Sequence, residues 1–253
     1  MKTIVVFNQK GGVGKTSTVA NLMAECKYRN LSVLGIDLDS QANLTSFNGI
    51  INPDKTVRDV LLNECSLENA IICCKYGDIL PSENGLQTEL LRFASMPAFV
   101  IKLRDILKTI ENSYDIILID CPPVVNQVTA AALVAADYVI IPAEAEYFSA
   151  VGVEMLSRTI NEVKPLNPEI KVLGVLLVKY QYRRTLTRAL ESVLCEQTQK
   201  VLGCNVFDTH IRFTVDIPAS QASGKSVRDY RPGSKATGDY QELTDEILKE
   251  MIL

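Results

Sequence analysis

An apolar run, Ile4-Val5-Val6-Phe7, passes directly into Asn8-Gln9-Lys10-Gly11-Gly12-Val13-Gly14-Lys15-Thr16-Ser17. The run reads as a buried strand, the glycines as a sharp turn, and the residues from about Lys15 onward as a helix. Strand, glycine-rich turn and helix in that order make a phosphate-binding loop. Glycines let consecutive backbone N–H groups turn inward with no Cβ in the way, and the helix N-terminus adds partial positive charge. Gly11, Gly12, Val13, Gly14, Lys15, Thr16 and Ser17 are therefore the expected nucleotide cradle. Lys15 is expected to reach the β- and γ-phosphates and the Thr16 hydroxyl to ligate Mg²⁺. Two solvated lysines on a surface glycine loop are the plain alternative, and the order of the three elements argues against it. One departure is informative. Gln9 stands where the ordinary loop has glycine, and Lys10 adds a second lysine just before a Gly-Gly pair. The loop does not need that charge to hold its own nucleotide. It makes sense if Lys10 contacts phosphates held by a second subunit.

Two more apolar runs end in carboxylates. Asp37-Leu38-Asp39-Ser40-Gln41-Ala42-Asn43 follows the run from Ser32 to Ile36, and Ile116-Ile117-Leu118-Ile119 leads into Asp120-Cys121-Pro122-Pro123. Open α/β sheets bind ligands at the carboxyl ends of their strands, so these acids are candidates for the same rim. Asp120 is expected to hold Mg²⁺ through its water shell, and Asp39 is a further candidate for the metal. A single Asp after an apolar run is usually a turn residue; three strand ends sharing one rim are harder to dismiss.

With these motifs the chain resembles the ParA/Soj-type partition ATPases of the deviant P-loop class, which also contains the MinD proteins. The resemblance spans essentially the whole chain. It runs through the two-lysine loop, D-x-D-x-Q-x-N at 37–43, I-D-C-P-P at 119–123, and Ala136-Asp137-Tyr138-Val139-Ile140-Ile141-Pro142 leading to Glu146-Tyr147-Phe148. Near the C-terminus, Ser223-Gly224-Lys225 and Tyr230-Arg231-Pro232-Gly233-Ser234-Lys235 are similar to family stretches ending at Tyr240. Three departures stand out: Ser40 replaces a usual proline, Ile211-Arg212-Phe213 replaces I-P-R, and Lys235-Ala236-Thr237 lacks a common glycine.

The resemblance implies an ATPase that hydrolyses ATP to ADP and phosphate and forms a homodimer with ATP and Mg²⁺. In it Lys10, Lys15 and Asp39 are the catalytic residues. It implies nonspecific DNA binding by the ATP dimer, at positions matching Arg183 and lying within one residue of Arg212, with Arg184 a further candidate. It also implies a ParB-like centromere-binding partner and a cytoplasmic, nucleoid-associated location. Three rivals stay open: an amide-forming or carboxylate-phosphorylating synthetase with a related loop, a DNA-independent positioning switch, and a binding module whose hydrolysis Ser40 has crippled.

The remaining sequence narrows the classes. With 253 residues and 47% hydrophobic content, one domain over 1–253 is expected. Apolar runs alternating with helical patterns imply a mostly parallel, twisted sheet with helices on both faces. Expected helices span about 150–163 and 185–202, with a last one from about Thr237, and a strand spans 172–178. Residues 43–112 should hold short helices and one edge strand near Asp78–Leu80. No apolar run approaches the ~20 residues of a membrane span, and Asn8-Gln9-Lys10 ends the N-terminal run too early for a signal peptide. With the loop strand at the start of the sequence, neither a preceding helix-turn-helix segment nor operator-based autorepression is expected. Seven cysteines without a C-x-x-C pair, and His210 as the single histidine, disfavour zinc sites and histidine catalysis.

Charge is uneven. Residues 179–235 carry ten Lys or Arg against five Asp or Glu, a local +5 that leaves −9 on the rest. In the last helix Tyr240, Leu243, Thr244, Ile247, Leu248, Met251 and Ile252 form an apolar stripe. Its other face carries Asp239, Glu242, Asp245, Glu246 and Glu250 against Lys249. A membrane-targeting helix should instead be basic there, so packing on the domain and no membrane partner are expected.

Overall fold

The computed structural model describes residues 1–83, 86, 98–145, 150–183 and 185–251. Glu146, Tyr147, Phe148, Arg184 and Ile252 lie outside them.

A seven-stranded sheet organises the molecule: β1 (Lys2–Val6), β2 (Val33–Asp37), β3 (Ile72–Cys74), β4 (Gly77–Leu80), β5 (Ile116–Asp120), β6 (Tyr138–Ala143) and β7 (Lys171–Leu177). Their order is β3-β4-β2-β5-β1-β6-β7, parallel throughout except for the antiparallel pair β3–β4. Residues 43–112 thus contribute two strands rather than one. The strand at Asp78–Leu80 lies inside the sheet beside β2, and the short β3 forms the edge. The correction has a simple cause: Ile72-Cys73-Cys74 is too short to show a period, and it pairs through a tight hairpin.

Central strands are apolar on both faces because helices cover both. Val5, Phe7, Leu34 and Ile36 point into one core, and Ile4, Val6 and Val33 into the other. The first core receives α3 (Val57–Leu61), introduced after the short α2 (Asn43–Phe47), and α4 (Leu67–Ala70). It also receives α5 (Phe99–Lys108), α6 (Gln127–Ala135) and α7 (Ala150–Val163), and Leu194 from α8 (Thr185–Leu202). The second core receives α1 (Lys15–Tyr28). Gly35 lets α1 approach closely, since a Cβ there would stand 2.5 Å from Met23 Sδ.

Beyond α8 come α9 (Asp216–Ala222), α10 (Val227–Tyr230) and α11 (Lys235–Glu250). Tyr240, Leu243, Thr244, Ile247 and Met251 are buried, and α11 packs on α1. Its acidic face is not simply solvated. Asp239 is buried against Arg212, Asp245 pairs with Arg29 at 2.6 Å, and Glu246 accepts the Asp208 and Thr209 N–H groups at 2.8 and 3.1 Å. Among the described residues no helix is long and apolar enough to cross a membrane, and all seven cysteines are free thiols.

Candidate functional site

The sheet register assembles the site. Val6, the last residue of β1, sits opposite Asp120, and Asp120 sits opposite Asp37. Three strand ends therefore meet side by side where the chain leaves β1 for the glycine loop. Gly12 and Gly14 have φ of 74° and 77°, and Gly14 caps α1 from the left-handed region that glycine adopts without a Cβ penalty. A Cβ added at Gly11, Gly12 or Gly14 would meet nothing within 4 Å, because a cleft of about 750 Å³ opens over all three.

Lys15 is buried at the start of α1, and its Nζ donates to the Lys10 carbonyl at 3.2 Å. Burial lowers its pKa, and the facing Asp120, Cys121 and Asp39 pull it back up. Lys10 is exposed, its backbone N–H held by Asn8 Oδ1 at 3.0 Å, while Asn8 Nδ2 anchors to the Pro142 carbonyl at 2.8 Å. The two lysines of one loop thus have opposite settings. Lys15 faces inward, and Lys10 lies on the outer surface.

Thr16 Oγ1 donates to Asp120 Oδ2 at 2.6 Å. The other oxygen, Asp120 Oδ1, is buried with no hydrogen-bond partner among the described residues. Asp37 is fully buried; its Oδ2 accepts from the Thr45 N–H and Oγ1 at 2.9 and 2.8 Å, and its Oδ1 from the Asp39 N–H at 3.1 Å. Asp39 in turn accepts the Gln41 N–H at 3.0 Å. Burial pushes the Asp37 carboxyl up to about 6 against the pull of the Thr45 hydrogen bonds. Burial and the neighbouring Asp37 raise Asp120 well above the usual carboxylate range, although the Thr16 hydroxyl and Lys15 oppose them. Three carboxylates against one buried ammonium leave an excess of negative charge. An orphaned carboxylate oxygen beside a hydroxyl is oxygen chemistry for a hard divalent cation such as Mg²⁺, which keeps most of its waters. Among the described residues no cluster of three or more His, Cys, Asp or Glu could hold a metal ion by itself, so other oxygens must complete the shell.

Of the far wall of the cleft, the sequence singles out only Ile211-Arg212-Phe213, as a departure from the family pattern. Val178, Lys179, Ile211, Arg212, Phe213 and Pro218 contribute to the wall. Backbone hydrogen bonds stitch this wall together: Tyr180 N–H to the Ile211 carbonyl at 3.0 Å, and Phe213 N–H to the Tyr180 carbonyl at 3.0 Å. Arg212 lies in this wall. Its Nε donates to Asp239 Oδ2 at 2.7 Å, its Nη2 pairs with Oδ1, and the guanidinium stands 5.3 Å from the Tyr182 ring centroid. Arg183 directly follows Tyr182 in the same turn and is exposed. Other charges of the basic third are also compensated: Arg228 by Glu25, Arg231 by Asp216 and Lys179 by Glu144. Among the described residues no carboxylate pairs with Arg183, Lys200, Lys225 or Lys235, and all four are exposed.

A family model described as an AAA domain matches residues 1–172. Over 249 residues the chain is 33% identical to the chromosome-partitioning ATPase Soj of Thermus thermophilus, covering 98% of this chain and 96% of the relative. The chain belongs to the ParA/Soj family. Another ParA/Soj protein, the sporulation initiation inhibitor protein Soj of Bacillus subtilis, is 32% identical over 97% of this chain and 98% of its own. A crystal structure described as cobyrinic acid a,c-diamide synthase from Mycobacterium smegmatis, with bound ADP and magnesium, superposes with a TM-score of 0.87 at 29% identity. It covers 99% of this chain and 95% of that one.

Proposed function

We propose that this chain is a ParA/Soj-type ATPase that dimerises with ATP, binds DNA without sequence preference as the ATP dimer, and acts in plasmid or chromosome partitioning. The observation that carries the reading is the split between the two lysines of the loop: Lys15 buried against Asp120 and Asp39, Lys10 exposed on the same turn. Lys15 holds the phosphates of its own nucleotide. Lys10 reaches the partner's, so the closed dimer depends on the γ-phosphate. Gly11 to Ser17 supply the cradle, and the wall from Ile211 to Phe213 borders the base. Thr16 and Asp120 would hold Mg²⁺, which shields phosphate charge when bound. Asp39 orients the attacking water, and Asp37 fixes the segment through Thr45 and the Asp39 amide. Hydrolysis removes the group that both lysines share, so ADP favours separation.

The proposed DNA binding draws on exposed charge with no carboxylate partner among the described residues, Arg183 included. The reading extends to a ParB-like partner that stimulates hydrolysis, to a cytoplasmic, nucleoid-associated location, and to a single domain over residues 1–253. A second reading, ATP-dependent amide formation, draws on the likeness to the structure described as a diamide synthase. The first is preferred because amide formation gives Lys10 no role. Binding to a nonspecific duplex with ATP, with ADP as the control, tests the proposal. ATP-dependent binding that weakens steeply with salt is expected. A protein that hydrolyses ATP and ignores DNA at low salt would instead be a DNA-independent positioning switch.

A further inference from the structure

We propose that Lys179 is a positioning residue for the phosphate loop: with Glu144 it holds the Gly12 carbonyl and thereby fixes the Gly12–Val13 peptide. The inference rests on the nucleotide reading above and adds a residue that none of the loop motifs contains. Lys179 Nζ donates to the Gly12 carbonyl oxygen at 2.9 Å and to Glu144 Oε1 at 2.8 Å. Gly12 lies 167 residues away along the chain, and three separate segments converge on this one ammonium.

The backbone is arranged for that contact. Lys179 has φ of 51°, a left-handed conformation that is unfavourable for a non-glycine residue. The residues on either side pin it. Val178 N–H donates to the Ala143 carbonyl at 2.8 Å, and Tyr180 N–H to the Ile211 carbonyl at 3.0 Å. Strain persists where the surroundings over-determine it. Here it ends β7 and turns the lysine back toward the glycine loop. Glu144, just past the end of β6, holds the ammonium from the other side.

The consequence follows from peptide geometry. A trans peptide is planar, with its C=O and N–H opposed. Fixing the Gly12 carbonyl therefore fixes the direction of the Val13 N–H, one of the donors in the proposed cradle. Gly12 has no side chain of its own to restrain it, a freedom it shares with Gly11 and Gly14. A loop held before the nucleotide arrives loses less entropy on binding.

A direct contact between Lys179 and the nucleotide predicts the opposite sign for one variant, and that makes the test. ADP affinity is measured calorimetrically with Mg²⁺ for the wild type, Lys179→Met and Glu144→Gln, with thermal melts of each protein without nucleotide. Lys179→Met is expected to weaken ADP about tenfold, the order of a half-exposed charge-assisted hydrogen bond. Its nucleotide-free melting temperature should not change. Glu144→Gln should weaken ADP about two- to threefold, because it loosens the ammonium that holds Gly12. If Glu144→Gln tightens ADP, Lys179 touches the nucleotide itself and the inference is overturned. Wild-type affinity in Lys179→Met overturns it equally, provided that the wild type binds ADP. A wild type that binds no nucleotide overturns the functional reading and this inference together. Should Lys179→Met melt lower, Glu144→Gln alone decides by its sign.

Discussion

Arg212→Ala separates a structural ion pair from a DNA contact. The Arg212 guanidinium grips Asp239 through two nitrogens, with Nε at 2.7 Å from Oδ2, and its backbone N–H donates to the same oxygen at 3.0 Å. The Asp239 side chain is 3% exposed and that of Arg212 27%. Removing the arginine leaves a carboxylate in the interior with one backbone donor. Breaking a fully buried pair from one side costs about 3–5 kcal/mol, and partial access of water to the arginine reduces this to about 2–3 kcal/mol. In a protein of this size that corresponds to a drop of about 4–12 °C in melting temperature. Replacing both partners by apolar residues, Arg212→Met with Asp239→Leu, removes both charges together and should recover most of the loss. The DNA measurement runs in parallel. Each phosphate contact contributes about 0.9 to the slope of log K against log salt. Arg183→Ala should therefore flatten the slope of an ATP dimer by about 1.8, while Arg212→Ala should barely move it, because Asp239 already balances that charge. Scanning calorimetry and fluorescence anisotropy on labelled duplex, at several salt concentrations, read the two effects. An Arg212→Ala protein that melts like the wild type and flattens the slope as much as Arg183→Ala would refute the argument. It would return Arg212 to the DNA surface.

Lys15→Ala should abolish ATP binding, whereas Lys10→Ala should bind ATP nearly normally and lose ATP-dependent dimers in sedimentation; normal dimers would remove Lys10 from the partner's site. Asp37 holds its proton up to about pH 6 in the folded protein and releases it near 3.9 when unfolded. Between those values the folded state binds more protons, so this group's contribution to stability falls as pH rises through the window. Relative to Asp37→Asn, the nucleotide-free wild type should gain melting temperature from pH 7.5 to pH 5.5. A difference that is flat or reversed across that range would show that burial does not govern the carboxyl.

Local chemistry decided what could be read from the sequence. Gly12, Gly14 and Lys15 announce themselves because a phosphate loop needs them within a few consecutive residues. Asp37 and Asp120 are legible because each ends an apolar run, and parallel pairing then sets them opposite one another. The helices at 150–163 and 185–202 follow from their periods. Pairings between distant segments left no such trace. Asp239 looks like one more acid on a polar helix face until Arg212 arrives from another segment to bury it. Lys179 reads as an ordinary basic residue after a strand, because neither Gly12 nor Glu144 is near it in sequence. β3 displaces the expected edge strand at Asp78–Leu80 from the edge, and a strand of three residues carries too few positions to reveal a pattern.

The position of β1 has a consequence for synthesis. Its neighbours are β5 and β6, which lie at residues 116–120 and 138–143. β1 and the glycine loop are made before either neighbour, so the strand that supports the loop has no partner until β5 follows, at residues 116–120. At about 5–20 residues per second, that interval is roughly 5–22 s. Throughout it, Ile4 to Phe7 form an exposed apolar segment open to chaperones and to mispairing. ATP cannot act as a folding template in that interval, because Asp120 and the far wall of the cleft are among the later parts to appear.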